Sequence, residues 1–554
     1  MICPKTDGMI KKLSIAAGVL AVVLVVAVLL FLRTSGPSDA AALLPEDTVL
    51  LASFNDLPRS FLRWQGTCLA KLVKEPEVRA FLEKPMTVLT SNPAADETGT
   101  ILAGLKPGRV FVAVTAVTTG KVDSLVGFQF WGGRKEFDKA VERMRKELPA
   151  GEITTEDHGG ERIVCSQHGK YSVYSATIGR WGFVSTSGDV IKAALDKARG
   201  KSSAPALAAN PRFKEVSKRM LTAADFTFFL QPQNAIDALV EAGRSFGAET
   251  IPEQLEALRA TEAVGWSLKL DGELQRDAMF LLRPGPKPAE TLTHKTGRFT
   301  SADTVLFVDF LARFAGSAAL LEKALTGTAP QSSIVELAEL ATAACGPECA
   351  LIVNWANGQM APSGVVAVEI RNKEKATAVL SKIISLFPET RIVEEDGIKL
   401  YSIPSVSNPL ASPTLTMTDQ FMIFGIEPAS VVRAARSEGG GIEAIPAFAP
   451  AISAYRSANE IFAFIDTRSV FERAYTALRP VILFGAQVMP GVGGMIDTGK
   501  LPQTETIARH LPPVILSQQR LEDGVLLESS GPLTVSQLAL AAAAGGVLGS
   551  PGRN

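Results

Sequence analysis

Sulfur and imidazole are scarce in this chain of 554 residues. Five cysteines and four histidines are too few for a disulfide-dense scaffold or a multi-zinc protein. The histidines are His158, His168, His294 and His510. No two of them lie four apart and no His-Glu-x-x-His stretch occurs, which removes the helical zinc-hydrolase pattern. Cys165-x2-His168 is half of a zinc pattern without its second half, so no metal and no cofactor are expected. Excess charge of either sign is also missing. Lys plus Arg number 56 against 57 Asp plus Glu, a net charge of −1. No basic surplus exists to hold nucleic acid, and none is expected as a partner. What remains is an ordinary folding composition, 46% apolar and 20% charged.

One long apolar run breaks that average. Leu13 to Leu32 holds twenty residues with no charge and only Ser14 polar. At ~1.5 Å per residue it is about 30 Å long, the thickness of a bilayer core. Lys5, Lys11 and Lys12 precede it and Arg33 follows. The charge bias predicts a single span with a cytoplasmic N-terminus and the main body outside the cytoplasm. A cleaved signal peptide is the alternative, with small residues at Ala40-Ala41-Ala42 as its site.

Comparing the chain with itself predicts a tandem duplication. Leu44 to Leu51 (LPEDTVLL) recurs as Thr300 to Phe307 (TSADTVLF). Lys106 to Val112 parallels Gly346 to Ile352, a turn and then an apolar strand. A strand and helix, Val126 to Phe130 and Lys135 to Leu148, match Val365 to Ile370 and Lys373 to Phe387. Acidic hairpins follow at Glu156 to Gly160 and at Glu394 to Gly397. Phe183 to Leu195 matches Phe424 to Arg436, and Phe226 to Leu230 matches Ile461 to Ile465. Equivalents stay about 240 residues apart in one constant order. In the second helix Ala376, Val379, Leu380, Ile383, Ile384 and Phe387 form one apolar stripe, as packing on a sheet requires. Ser187 and Pro428 stand where helix starts are expected. Asp271-Gly272 and Asp523-Gly524 read as hairpin turns.

The expected fold class is therefore α+β: a transmembrane helix followed by two tandem, related domains with largely antiparallel sheets. The expected boundaries are a cytoplasmic tail 1–12, a span 13–32, a linker 33–43, a first repeat 44–286, a linker 287–299, a second repeat 300–537, and an apolar flexible tail 538–554. The start at Leu44-Pro45-Glu46-Asp47-Thr48, behind an apolar N-terminal run, resembles a bacterial family of unknown function. That resemblance implies a membrane-anchored, exported α+β protein with an internally duplicated domain. It brings no activity and no catalytic residues, and the second copy departs from it at Ser301-Ala302.

Few residues invite chemistry. Gly494 to Leu501 has the Gly-x4-Gly-Lys core of a phosphate loop, but Leu501 replaces the Ser or Thr that would hold magnesium. It reads as a Gly-rich loop. Cys345 and Cys349 flank Gly346-Pro347-Glu348, one residue more than a thioredoxin-like spacing. They could close a local disulfide or stay as two unpaired thiols. His158 and the acidic turns read as solvated hairpin tips. No Ser-x-x-Lys occurs, and no catalytic residues are assigned. The expectation is a non-enzymatic, membrane-tethered binding or scaffold protein with a protein partner in the bacterial envelope. An exported hydrolase with a site assembled between the repeats is the alternative, and a soluble secreted protein is a third.

Overall fold

The computed structural model describes residues 39–90, 106–118, 121–131, 135, 137–139, 142, 152–168, 171–234, 236, 240, 259–286, 289–312, 331–395, 397–403, 412–436, 440–488 and 497–539. Among the described residues no helix is long and apolar enough to cross a membrane. Leu13–Leu32, where the span was expected, lies outside them. The expected fold class also needs correction in its sheets. Twenty antiparallel strands dominate the described residues, where the expectation set a spanning helix ahead of two α+β domains. By contact clustering the chain divides into two compact units. The first takes its described residues from Met1–Arg59, Pro93–Lys218 and Asp225–Gly265. The second takes them from Ser60–Asn92, Arg219–Ala224 and Trp266–Asn554.

Eight strands build the first unit: β1 Leu50–Phe54, β2 Pro107–Thr118, β3 Lys121–Phe130, β4 Glu152–His158, β5 Glu161–His168, β6 Tyr171–Ile178, β7 Trp181–Ser185 and β8 Phe226–Leu230. Their order is β4-β5-β6-β7-β3-β2-β1-β8, antiparallel throughout. Phe111, Leu125, Phe183 and Phe229 are buried, as alternating strands with one covered face require. Gly127 makes room for Phe111, because a Cβ there would stand 2.3 Å from its ring. The helix Gly188–Ala198 starts after Ser187 as expected and buries Ile191, Ala194 and Leu195. Ser187 makes no side-chain cap bond; its amide donates to Ser185 Oγ instead. Ala40–Ala42, placed by sequence in a linker, form a short 3-10 turn with Ala40 and Ala41 buried.

The second unit holds β9 Ala263–Asp271 from Trp266 onward, then β10 Leu274–Leu282, β11 Thr304–Leu311, β12 Cys345–Asn354, β13 Ser363–Ile370, β14 Arg391–Glu395, β15 Ile398–Ser402, β16 Thr414–Met417, β17 Phe421–Gly425, β18 Ile461–Ile465, β19 Val514–Arg520 and β20 Gly524–Gly531. The run β14-β15-β16-β17-β13-β12-β11-β18 repeats the strand order of the first unit element by element. From β18 it passes on through β19 and β20 to β10 and β9. Both expected hairpins form, and Gly272 takes a left-handed φ of +66° at its turn. The last strands of the two hairpins pair with each other, Gln275 with Gly531 through Leu282 with Gly524. Asp277 therefore meets Ser529. Each stands six residues past the Asp of its own turn (277 − 271 and 529 − 523).

Helices cover this sheet. Asn372 caps Lys373–Leu386 by accepting from the Lys375 amide, and Ala376, Val379 and Leu380 are buried. Ala376 and Val379 pack with Leu337 of the helix Gln331–Ala344 and with Met422 of β17. Pro428 opens the helix Pro428–Arg436 as expected. Val431, Val432 and Ala434 of that helix join Phe307, Phe462 and Phe464 in the main core.

Candidate functional site

A cluster of buried titratable side chains lies where the chain returns from the first hairpin to β11. This stretch falls within 287–299, which the sequence reads as a linker. Instead Leu292, Thr296, Gly297 and Phe299 are buried. Two carboxylates draw the segment in. Asp309 of β11 is fully buried, and Glu348 of β12 is 1% exposed. Glu348 Oε2 accepts from the Thr293 amide at 2.9 Å and from Thr293 Oγ1 at 2.5 Å, and its Oε1 accepts from the Thr296 amide at 3.0 Å. Asp309 Oδ1 accepts from Thr296 Oγ1 at 2.9 Å. A buried carboxylate needs such donors, since nothing else replaces its hydration.

His294 completes the knot from a left-handed backbone, φ +58°, which few side chains adopt. Its Nε2 lies 3.2 Å from the Ala458 carbonyl, which can only accept, so Nε2 carries a proton. Its Nδ1 lies 2.9 Å from Asp309 Oδ2, and one further proton is shared on that line. Burial pushes the Asp309 carboxyl above its ordinary value, against the hydrogen bond from His294. The Tyr455 ring centroid sits 4.2 Å from that of His294, and its hydroxyl donates to the His294 carbonyl at 3.1 Å. Burial also raises the Tyr455 phenol. A Cβ on Gly297 would stand 2.6 Å from that phenol oxygen, so the segment passes close because it is bare there.

A His–Asp pair can act as a base only where its outer nitrogen faces a substrate. Here Nε2 is held by a backbone carbonyl, and the hydroxyls of Thr293 and Thr296 are spent on the carboxylates. The knot is built to anchor a segment across β11 and β12.

Cys345 and Cys349 border it. Both are buried, free thiols, with no disulfide between them. β12 carries an irregularity between them, Cys345 facing Ile370 and Cys349 facing Val368 on β13. Burial pushes the Cys345 thiol up to about 11. It pushes Cys349 up to about 12, with further contributions from Cys345, Asp309 and Glu348. Neutral thiols of this kind are inert. Cys68 and Cys165 are free as well.

The other residues singled out in the sequence are engaged. His158 is no bare hairpin tip: its Nε2 lies 2.9 Å from Asp196, and neighbouring Glu156 pairs with Lys192 at 2.7 Å. His510 meets Glu75 at 2.7 Å. Lys500, the lysine of the phosphate-loop spacing, pairs with Glu83 at 3.0 Å, and Asp497 accepts from the Gly499 amide. Gly494–Ile496 lies outside the described residues, as does most of the expected helix 135–148 and the tail beyond residue 539. Gly243-Arg244-Ser245-Phe246-Gly247 has nucleophile-elbow spacing, a signal the motif reading above passes over. It too lies outside the described residues. Among the described residues no group of three or more His, Cys, Asp or Glu could hold a metal ion.

Two hollows open in the second unit. A cleft of about 720 Å³ is lined by Arg283, Glu290, Asn459, Glu460 and Arg520. In its lining Arg520 pairs with Glu460 at 2.9 Å, and Glu290 pairs with Arg371 outside it. A groove of about 430 Å³ runs past Arg276, Ser457, Ser517 and Glu528.

No family model matches the chain, and no curated protein matches it. The family resemblance seen in the sequence thus has no matching family model behind it. Among solved structures, crystal form III of TP0453 aligns with a TM-score of 0.26 at 8% identity, over 45% of this chain and 82% of that one. Crystal form IV aligns at 0.27 and 9%, over 45% and 83%. Form I aligns at 0.25 and 8%, over 45% and 81%. Likeness at this level carries no functional argument.

Proposed function

We propose that this chain is a non-enzymatic binding or scaffold protein of the bacterial envelope that presents sheet edges to a protein partner. The observation that carries the reading is the form of the two ribbons that end the strand orders above. All five residues of β14 are exposed, and so are the first six of β4. A strand with both faces in water contributes little to a core. It offers backbone donors and acceptors for another strand to meet. Three of the histidines agree: the rings of His158, His294 and His510 each hold an acidic or backbone partner. Export is part of the proposal. Its support is the Lys-flanked apolar run Leu13–Leu32, which serves for export whether or not it is retained.

The test is photo-crosslinking in intact cells from a reactive residue placed at Ile153 or Ile392, both exposed. Discrete adducts are expected. No adduct at either position, together with turnover of an ester, peptide or glycoside panel by the purified protein, would overturn the reading.

A further inference from the structure

We propose that the β14 edge is where a second copy of this chain adds to the sheet, β14 against β14, antiparallel and centred on Val393. The inference rests on the binding reading above and names its partner. Among the described residues β14 pairs only with β15. Ile392 is 62% exposed and Val393 51%, two apolar side chains on opposite faces of one edge strand.

Symmetry restricts the register. Two identical antiparallel strands related by a twofold axis pair residues of the same parity, because opposed side chains share a face. On β14 that leaves three centres. A centre on Ile392 sets Arg391 opposite Val393. A centre on Glu394 sets Glu394 against its own copy, a like-charge contact that destabilises. A centre on Val393 sets Arg391 opposite Glu395 twice, Ile392 opposite Glu394 twice and valine against valine, and its two Arg–Glu pairs select it. The other ribbon offers no equivalent. β4 carries Glu152, Glu156 and Asp157, and its one basic ring, His158, is bonded to Asp196.

The core points the same way. Val393 stands opposite Leu400 of β15, which is 2% exposed and belongs to the cluster under the helix Pro428–Arg436. The covered face ends at Leu400, and Val393 beside it on the edge strand is exposed. A second β14 would carry that face onward, with valine beside valine. Pairing of equivalent strands already occurs in this unit, where β10 and β20 meet at the corresponding positions Asp277 and Ser529.

A contact of five residues per strand falls in the small, transient class, so association is expected to be weak and salt-sensitive. The experiment is sedimentation velocity on the full chain up to roughly 100 µM, a range that reads weak association, with thermal melts of each variant. The wild type should show a concentration-dependent dimer that high salt weakens. R391E and E395R should each sediment as monomers with unchanged melts, since both sites are exposed. An equimolar mixture of the two should recover the dimer, because opposite charges face each other again at both positions. V393D should remain monomeric. A wild type that is monomeric throughout overturns the proposal, and so does a dimer indifferent to R391E, E395R and V393D. Crosslinking at Ile392 separates the two readings. Adducts with other proteins and none with itself would sink the dimer and leave the binding role standing.

Discussion

Asp309 governs the behaviour of the buried knot. Burial holds its carboxyl above the ordinary value, so the folded state favours the protonated acid. Stability tied to that proton is fully present below the ordinary carboxyl value and is lost as pH rises through the raised one. Asp309→Asn keeps an acceptor for Thr296 and a donor for His294 Nδ1. Urea unfolding should find it within about 1 kcal/mol of wild type, and its stability relative to wild type should rise with pH. Asp309→Ala leaves His294 and Thr296 without their partner and should cost about 3 kcal/mol. The thiols give a second prediction. With Cys345 pushed to about 11 and Cys349 to about 12, neither should react with iodoacetamide in native protein at pH 8, and both should react in urea. Their contribution to stability is present below the ordinary thiol value and fades as pH climbs through 11 to 12. None of this is legible in the sequence. His294 and Asp309 lie 15 residues apart and Thr293 and Glu348 lie 55 apart. Only the fold shows that a stretch resembling a linker supplies the donors for two buried acids.

Elements were more legible than residues, because an element repeats its signal over several positions. The stripe predicted for the helix at Lys373 holds in Ala376, Val379 and Leu380, all buried. The run Ile461–Ile465 sits between β11 and β19 with Phe462 and Phe464 fully buried. Phe464→Ala should cost about 3–5 kcal/mol in denaturant unfolding, while Leu478→Ala, at 53% exposure, should cost close to nothing. Long-range docking of elements left no such trace. The helices Cys68–Lys74 and Pro76–Thr90 are tied through Glu75 to His510 and Arg509, through Glu77 to Gln503 and Thr506, and through Glu83 to Lys500. The His510 hydrogen bond, with Arg509 behind it, holds the Glu75 carboxyl below its ordinary value. That contribution is present above the ordinary carboxyl value and is lost as pH falls through the lowered one. Hydrogen exchange should show residues 68–90 losing protection in acid before the main core does. Glu75→Gln should shift the loss to higher pH.

At the scale of the molecule, self-comparison of the sequence anticipates an order of elements that both units display. It does not anticipate which parts of the chain cluster together. Sequence similarity reports what each stretch resembles, while burial is decided by what each stretch touches. Glu75 and His510 are partners 435 residues apart, and Asp277 and Ser529 are 252 apart. During synthesis or passage through a membrane, the helices from Cys68 to Thr90 emerge before the residues their carboxylates pair with. Those partners, from Lys500 to His510, follow 417 to 435 residues later. The second unit therefore cannot complete these contacts until residue 510 is available, and pairings this distant in sequence are expected to form late. A chain released at residue 496 should leave residues 68–90 open to limited proteolysis while Leu50–Phe54 and its neighbours in the first unit resist. Order of synthesis thus leaves the helices from Cys68 to Thr90 waiting on residues made more than 400 positions later.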